Sequence, residues 1–184
     1  MELRDKNGLT ESEFLEAYAK KNYPRPYLTA DIVVFSEDLT SVLLVKRNGH
    51  PYLGRWALPG GFAKSDESVE ETALRELREE TGIEELTSAD LTEIGLFSAP
   101  GRDPRGWVVS NAYAAKVDPN RVHIEAGDDA IQAKWFTIEP KYDMLVLTNS
   151  TTQFSEIERE SDLAFDHGLI LIRALRKMSK QTEG

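Results

Sequence analysis

Residues 61 to 83, GFAKSDESVEETALRELREETGI, constrain this chain more than any other stretch of it. Gly61, Glu67, Arg75, Glu76, Glu79, Glu80 and Gly82 stand at fixed intervals, with Leu77 and Ile83 apolar among them. Ordinary residue usage gives such a set by chance less often than about once in a million windows. At about 3.6 residues per turn, Glu76, Glu79 and Glu80 fall at i, i+3 and i+4, so three carboxylates crowd one helical face. Each like-charge pair there costs an isolated helix a few tenths of a kcal/mol. A hard cation with oxygen ligands, Mg²⁺ or Mn²⁺, is the natural compensation. The plainer alternative is a solvated acidic helix in which Arg75 and Glu79 pair at i,i+4. Two glycines and Arg75 in register weigh against it.

The adjoining face carries Glu70, Ala73, Leu74 and Leu77, a largely apolar stripe that presses the helix onto a sheet. Upstream, Pro59, Gly60 and Gly61 follow the β-prone Trp56-Ala57-Leu58. Paired glycines allow positive φ and a close approach of backbone carbonyls to a metal or phosphate. Ser65 or Asp66 caps the helix start, and Gly82 ends it. The unit reads as strand, loop, helix.

Elsewhere the chain alternates between β-prone runs and punctuation. Thr10 and Glu13 form a capping-box pattern ahead of Phe14, Leu15 and Tyr18, which predicts a short N-terminal helix. Residues 28 to 36 and 41 to 47 read as a hairpin across the polar turn 36 to 40. Residues 89 to 98, 107 to 117 and 132 to 138 are further strands, with a loop from Gly101 to Gly106. Residues 139 to 163 show no clear period. Leu169, Ile172 and Leu175 follow Phe165 at helical spacing and predict a terminal amphipathic helix. The order predicts an α/β or α+β sandwich, a mixed sheet between helices. Residues 1 to 22 are a helical extension and 23 to 184 one domain.

The 184 residues carry a net charge of −10, which argues against a nonspecific nucleic-acid binder. An anionic substrate therefore needs local cations. With no cysteine, disulfides and thiolate metal sites are excluded. No stretch approaches the roughly 20 apolar residues of a membrane span, and no apolar signal region follows Met1, so a cytoplasmic location is expected. Asn149-Ser150-Thr151 matches a glycosylation acceptor and is read as a loop.

The spacing GX5EX7REUXEEXGU, with U apolar, resembles the Nudix box. Arg25-Pro26, Trp56 to Phe62, Gly101-Arg102-Asp103-Pro104-Arg105, Asp128-Asp129-Ala130, Trp135-Phe136 and Leu163 to His167 extend the resemblance to the ADP-ribose pyrophosphatase branch. That branch includes the hydrolase half of bifunctional nicotinamide-mononucleotide adenylyltransferases and the sensor domain of Nudix-related regulators of NAD metabolism. The resemblance implies the Nudix fold and Mg²⁺-dependent hydrolysis of ADP-ribose to AMP and ribose 5-phosphate. It implies Glu76, Glu79 and Glu80 as metal ligands, with a carbonyl of Gly60 or Gly61. Arg75 then orients a neighbouring glutamate and Glu67 holds the loop and helix start.

The general base stays open between a box glutamate, Glu76 or Glu79, and a later loop carrying Asp128 and Asp129, with Glu125 nearby. The residue before Trp135 is Lys134 rather than an acid. Arg47, Arg102 and Arg105 are the candidate cations for phosphate or ribose oxygens, and Trp107 the candidate for stacking on adenine. His167 beside Asp166 reads as a structural hydrogen bond. A damaged nucleoside triphosphate, NADH or a nucleotide sugar is the alternative substrate. A noncatalytic ADP-ribose sensor is the other class, and it predicts an eroded box and a C-terminal winged helix. The box acids are all present, and too few residues follow the last predicted helix for another domain. Isoprenoid diphosphate isomerisation would need a cysteine. A homodimer is expected from family habit, with a nucleoside diphosphate as small-molecule partner.

Overall fold

The computed structural model describes residues 2–127, 130–141, 144–149 and 156–182. Strands β1 (Tyr27–Ser36) and β2 (Ser41–Arg47) form the expected hairpin, whose turn is closed by Asp38 accepting from the Ser36 and Thr40 hydroxyls. The two strands pair directly only near that turn, at Phe35 and Val42. Beyond it, two short strands take up their inner edges. β3 (Trp56–Ala57) pairs with β2 at Val45 and Lys46, and β4 (Gly60–Phe62) pairs with β1 from Thr29 to Asp31. The glycine pair is thus set between the two strands of the hairpin.

β6 (Val108–Val117) runs parallel to β1, and β7 (Ala130–Lys141) antiparallel to β2. With β5 (Thr92–Phe97), β8 (Met144–Asn149) and β9 (Glu156–Arg159), the sheet order is β5-β6-β1-β2-β7-β8-β9. Side chains alternate across a strand, and β1 is buried at every position from Thr29 to Ser36 because both of its faces are covered. Ile32 and Val34 meet Ala73 and Leu77 of helix α2 (Val69–Thr81). Val33 and Phe35 meet Ile170, Leu171, Ala174 and Met178 of helix α3 (His167–Thr182). The mixed sheet between helices is as expected.

Several local expectations need correction. Ser68, not Ser65 or Asp66, caps α2, accepting from Glu71 N while Glu71 returns a carboxylate to Ser68 N. A capping box satisfies two orphan N–H groups where a single cap satisfies one. Glu70 is exposed, and the face buried by α2 is made by Thr72, Ala73, Leu77 and Thr81. In α3 the apolar run GLILIRAL offers two overlapping stripes, and docking chooses Ile170, Leu171, Ala174 and Met178; Leu169 is exposed. The stretch from 139 onward contains β8 and β9 among its described residues. Asn149 lies in β8 rather than in a loop, buried, with its amide donating to the Trp135 carbonyl. Helix α1 (Glu11–Ala19) has its predicted capping box and no buried residue. Gly82 ends α2 at φ 76°, the left-handed cap that a glycine takes without strain.

Candidate active site

Arg75 organises the acidic face of α2. Its Nε and Nη2 donate to the two oxygens of Glu67 at 2.9 and 2.7 Å, its Nη1 to Glu76 at 2.7 Å and Glu79 at 2.9 Å, and Nη2 also to the Phe62 carbonyl. The guanidinium fork reaches three carboxylates at once because they lie at i−8, i+1 and i+4 around it. Arg75 holds the Glu67 carboxyl down at about 2. Glu67 also accepts from Lys64 N and the Thr72 hydroxyl, so it fastens the loop to the first turn as the resemblance implied. In this structure Arg75 and Glu67 bond to each other and to the loop and helix around them.

Glu80 faces the other way, toward β4, where its Oε2 accepts the Gly60 N–H at 3.0 Å. Burial pushes its carboxyl up to about 8, and the Glu76 and Asp31 charges push in the same direction. Glu76 is also raised, by burial first, although Arg75 opposes the shift. The glycines are required for space rather than for φ, since neither has positive φ. A Cβ on Gly60 would overlap the Ala30 carbonyl and the Asp31 carboxylate, and one on Gly61 would overlap the Glu76 carboxylate. Two carboxyls whose burial opposes their ionisation, beside an unshielded backbone, make a donor set whose charge a hard cation would compensate. Among the described residues no three His, Asp or Glu side chains group as a metal cage, since Glu76 and Glu79 are turned onto Arg75.

Behind the glycine pair lies a buried polar layer that sequence reasoning did not assemble. Asp31 accepts from Ser110 Oγ at 2.5 Å and stands 3.7 Å from Arg102 and 3.6 Å from His167 Nε2. His167 Nδ1 accepts the Leu58 N–H at 2.9 Å, the structural hydrogen bond expected of it. Burial holds its imidazole below the usual range. Arg102 donates to both oxygens of Asp166, at 2.9 and 2.5 Å, with its side chain only 4% exposed. The candidate phosphate cation Arg102 therefore reaches only the floor of the cleft, where it ties the residue before α3 to the 101–106 loop. Asp31 had one legible signal, an acid inside the otherwise apolar run Ala30 to Phe35.

The cleft itself holds two joined spaces. One of ≈ 390 Å³ is lined by Glu76, Glu80, Gly60, Gly61, Lys64 and His50 among others, and a smaller one of ≈ 50 Å³ reaches down to Asp31 and His167. Arg47, Arg105, Gly60, Gly61 and Phe62 line both. Arg105 is held by the buried Asp103, its Nε and Nη2 donating to that carboxylate at 3.0 and 2.7 Å. Arg47 donates its Nε to the Pro51 carbonyl. Trp107 is 56% exposed and lines neither space; its carbonyl accepts from Tyr27 N. Asp128 and Asp129 lie outside the described residues. The chain just before them runs along the end of α2, where Glu125 N donates to Thr81 O and Gly127 N to Glu80 O. A Cβ on Gly127 would overlap the Glu79 carbonyl.

In a mixed sheet between helices, the glutamates of α2 and the arginines Arg47, Arg75 and Arg105 line one cleft. The chain belongs to the NUDIX domain family, whose model matches residues 25–145. It is 31% identical over 180 residues to the ADPR responsive transcriptional repressor NtrR of Acinetobacter baylyi, covering 96% of this chain and 64% of that protein. It is 38% identical over 116 residues to an ADP-ribose pyrophosphatase of Methanocaldococcus jannaschii, covering 63% of this chain and 64% of that one. The chain thus spans 64% of the length of each of these curated relatives. Its fold matches the NUDIX domain of Shewanella oneidensis NrtR complexed with ADP ribose, at TM-score 0.69 and 30% identity over 92% of this chain and 99% of that domain. Shewanella NrtR is also known in complex with a 27mer DNA, a chain of which 63% is covered here, at TM-score 0.55 and 29% identity. The charge argument against nucleic acid does not extend to that relative.

Proposed function

We propose that this protein hydrolyses the diphosphate linkage of ADP-ribose to AMP and ribose 5-phosphate, with Mg²⁺, or Mn²⁺ in its place. The observation that carries the reading is that Glu76 and Glu80 line one cavity together with Arg47, Arg105 and the Gly60–Gly61 backbone. A linkage bearing two negative charges repels any nucleophile, so both sides of the cleft must neutralise it. Glu76, Glu80 and a carbonyl of Gly60 or Gly61 would hold the metal, with Glu79 close by. Bound there, a divalent ion supplies charge neutralisation and lowers the pKa of water.

The chain's own groups do the rest. Arg47 and Arg105 bind phosphate oxygens, and Asp103 fixes the direction of Arg105. Arg75 keeps Glu76 and Glu79 in place. Water adds to one phosphorus as the bridging P–O bond breaks, and its proton goes to a carboxylate. Glu79 is the box acid open to solvent, 54% exposed, and suits that task; Asp128 and Asp129 follow the backbone that borders it. Trp107 would meet the adenine at the outer rim.

Hydrolysis in H₂¹⁸O with Mg²⁺, comparing ADP-ribose with 8-oxo-dGTP, NADH and a nucleotide sugar, tests the reading. Labelled AMP or labelled ribose 5-phosphate supports it and identifies the phosphorus attacked. Faster turnover of 8-oxo-dGTP overturns the substrate. A sensor reading draws on the 31% identity to a repressor over 96% of the chain. The complete set of box acids speaks against it, and ADP-ribose binding without any turnover would establish it.

A further inference from the structure

Phe165 is the strained residue of the cleft. It has φ 53°, the left-handed region that a residue with a Cβ, and an aromatic one above all, occupies only under compulsion. Both neighbours supply that compulsion. Ala164 N donates to the Trp56 carbonyl, Asp166 is gripped by Arg102, and His167 N returns to the Ala164 carbonyl. A glycine would relieve the backbone, so the ring at this position calls for an account of its own.

The surroundings of the ring provide one. The Arg47 guanidinium lies over it at 4.9 Å and the Arg105 guanidinium at 5.3 Å, while Tyr52 packs edge-on at 4.8 Å. Arg105 also lies over Phe62 at 4.6 Å. Arg47, at the end of β2, and Arg105, in the 101–106 loop, repel each other; the neighbouring charge of Arg105 helps to hold the Arg47 pKa below its usual value, after burial. Two like charges stay together when a π face attracts both and an anion is to be shared between them.

Building on the reading of the cleft as a diphosphate site, we infer that Phe165 is a positioning residue: its ring holds Arg47 and Arg105 side by side as one two-guanidinium seat for a phosphate group, opposite Glu80. The ring need not touch substrate. Its left-handed backbone is what brings it between the end of β2 and the 101–106 loop. The seat takes the phosphate by charge and geometry, so inorganic pyrophosphate should occupy it without metal.

Calorimetric titration of the full chain with inorganic pyrophosphate in EDTA tests this, with ADP-ribose titrated in parallel. Phe165→Leu should weaken pyrophosphate about tenfold, the scale of one or two lost cation–π contacts. Phe165→Tyr should bind like the wild type. In the Arg47→Gln, Arg105→Gln background, Phe165→Leu should have no further effect. With Mg²⁺ and ADP-ribose the loss should fall on KM, with kcat retained. If Phe165→Leu fails to fold, Phe165→Gly, which suits the left-handed backbone, gives the same reading.

Unchanged pyrophosphate binding in a folded ring-deleted variant overturns the proposal. So do a Tyr variant as weak as Leu, an additive effect in the double-arginine background, or a wild type that binds no pyrophosphate. Pyrophosphate binding without ADP-ribose binding leaves the seat standing and overturns the ADP-ribose reading instead.

Discussion

His167 Nδ1 accepts the Leu58 N–H at 2.9 Å, joining the start of α3 to the strand that leads into the glycine pair, 109 residues earlier in the chain. An acceptor at Nδ1 puts the ring proton on Nε2, which faces Asp31. The backbone that carries Pro59, Gly60 and Gly61 is thus held from behind by an imidazole and in front by Glu80.

His167→Ala should lower stability by roughly 1–3 kcal/mol, because a buried N–H is left without its acceptor. His167→Asn keeps an acceptor near the Nδ1 position and should recover part of the loss. Urea unfolding midpoints check both, and equal losses for the two variants would rule out the hydrogen bond as the cause.

Glu80 links metal to pH. Its folded carboxyl sits at about 8, above the ordinary carboxylate range. The native state therefore holds a proton that the unfolded chain releases, so the stabilisation is present below about 4.5 and is lost as pH rises through about 8. Without metal, the wild type should lose stability between pH 5 and 9 relative to Glu80→Gln. With Mg²⁺ at a hundredfold its Kd the wild type should gain about 2.7 kcal/mol. Glu80→Gln should gain little and should lose hydrolysis by about 100-fold or more. Thermal scans with and without Mg²⁺ measure the first part, product release the second.

Arg75→Lys replaces a fork on three carboxylates by a point charge. Activity should fall about 10- to 100-fold, as for other groups that orient a metal's ligands. Arg75→Ala should add a lower unfolding midpoint, since Glu67, Glu76 and Glu79 then repel one another with nothing between them. Steady-state kinetics and thermal melts separate the two effects.

The two glycines should respond differently to alanine. At Gly60 the new methyl meets the Ala30 carbonyl, which cannot move without shifting β1, so a loss of about 1–3 kcal/mol is expected. At Gly61 it meets the far end of the Glu76 side chain, which can swing away. Gly61→Ala should melt close to the wild type while metal affinity or activity falls about 10- to 100-fold. A marked destabilisation at Gly61 with normal activity would reverse this assignment.

The helix of the Nudix box was legible because its logic is local. Gly82, Glu67, Arg75 and the three acids act within a few turns of one another, and spacing alone puts Arg75 among carboxylates. The hairpin and the capping box of α1 were legible for the same reason. The cap of α2 was misplaced by two or three residues because Ser65, Asp66 and Ser68 are all chemically able to cap. The buried stripe of α3 was misplaced because an unbroken apolar run has no period to read; the packing of β1 decided it.

By itself the sequence determined the acidic helix and the sheet between helices, which follow from periodicity and short-range spacing, while the class of chemistry came from the resemblance of residues 61 to 83 to the Nudix box. Tertiary structure alone decided how the arginines divide. Arg102 stands at the floor of the smaller space, gripped by Asp166 64 residues away and only 4% exposed, while Arg47 and Arg105 line both spaces around Phe165. No spacing rule distinguishes a guanidinium that is almost fully covered from one left open to the cleft, because the difference lies in which distant segment folds against it.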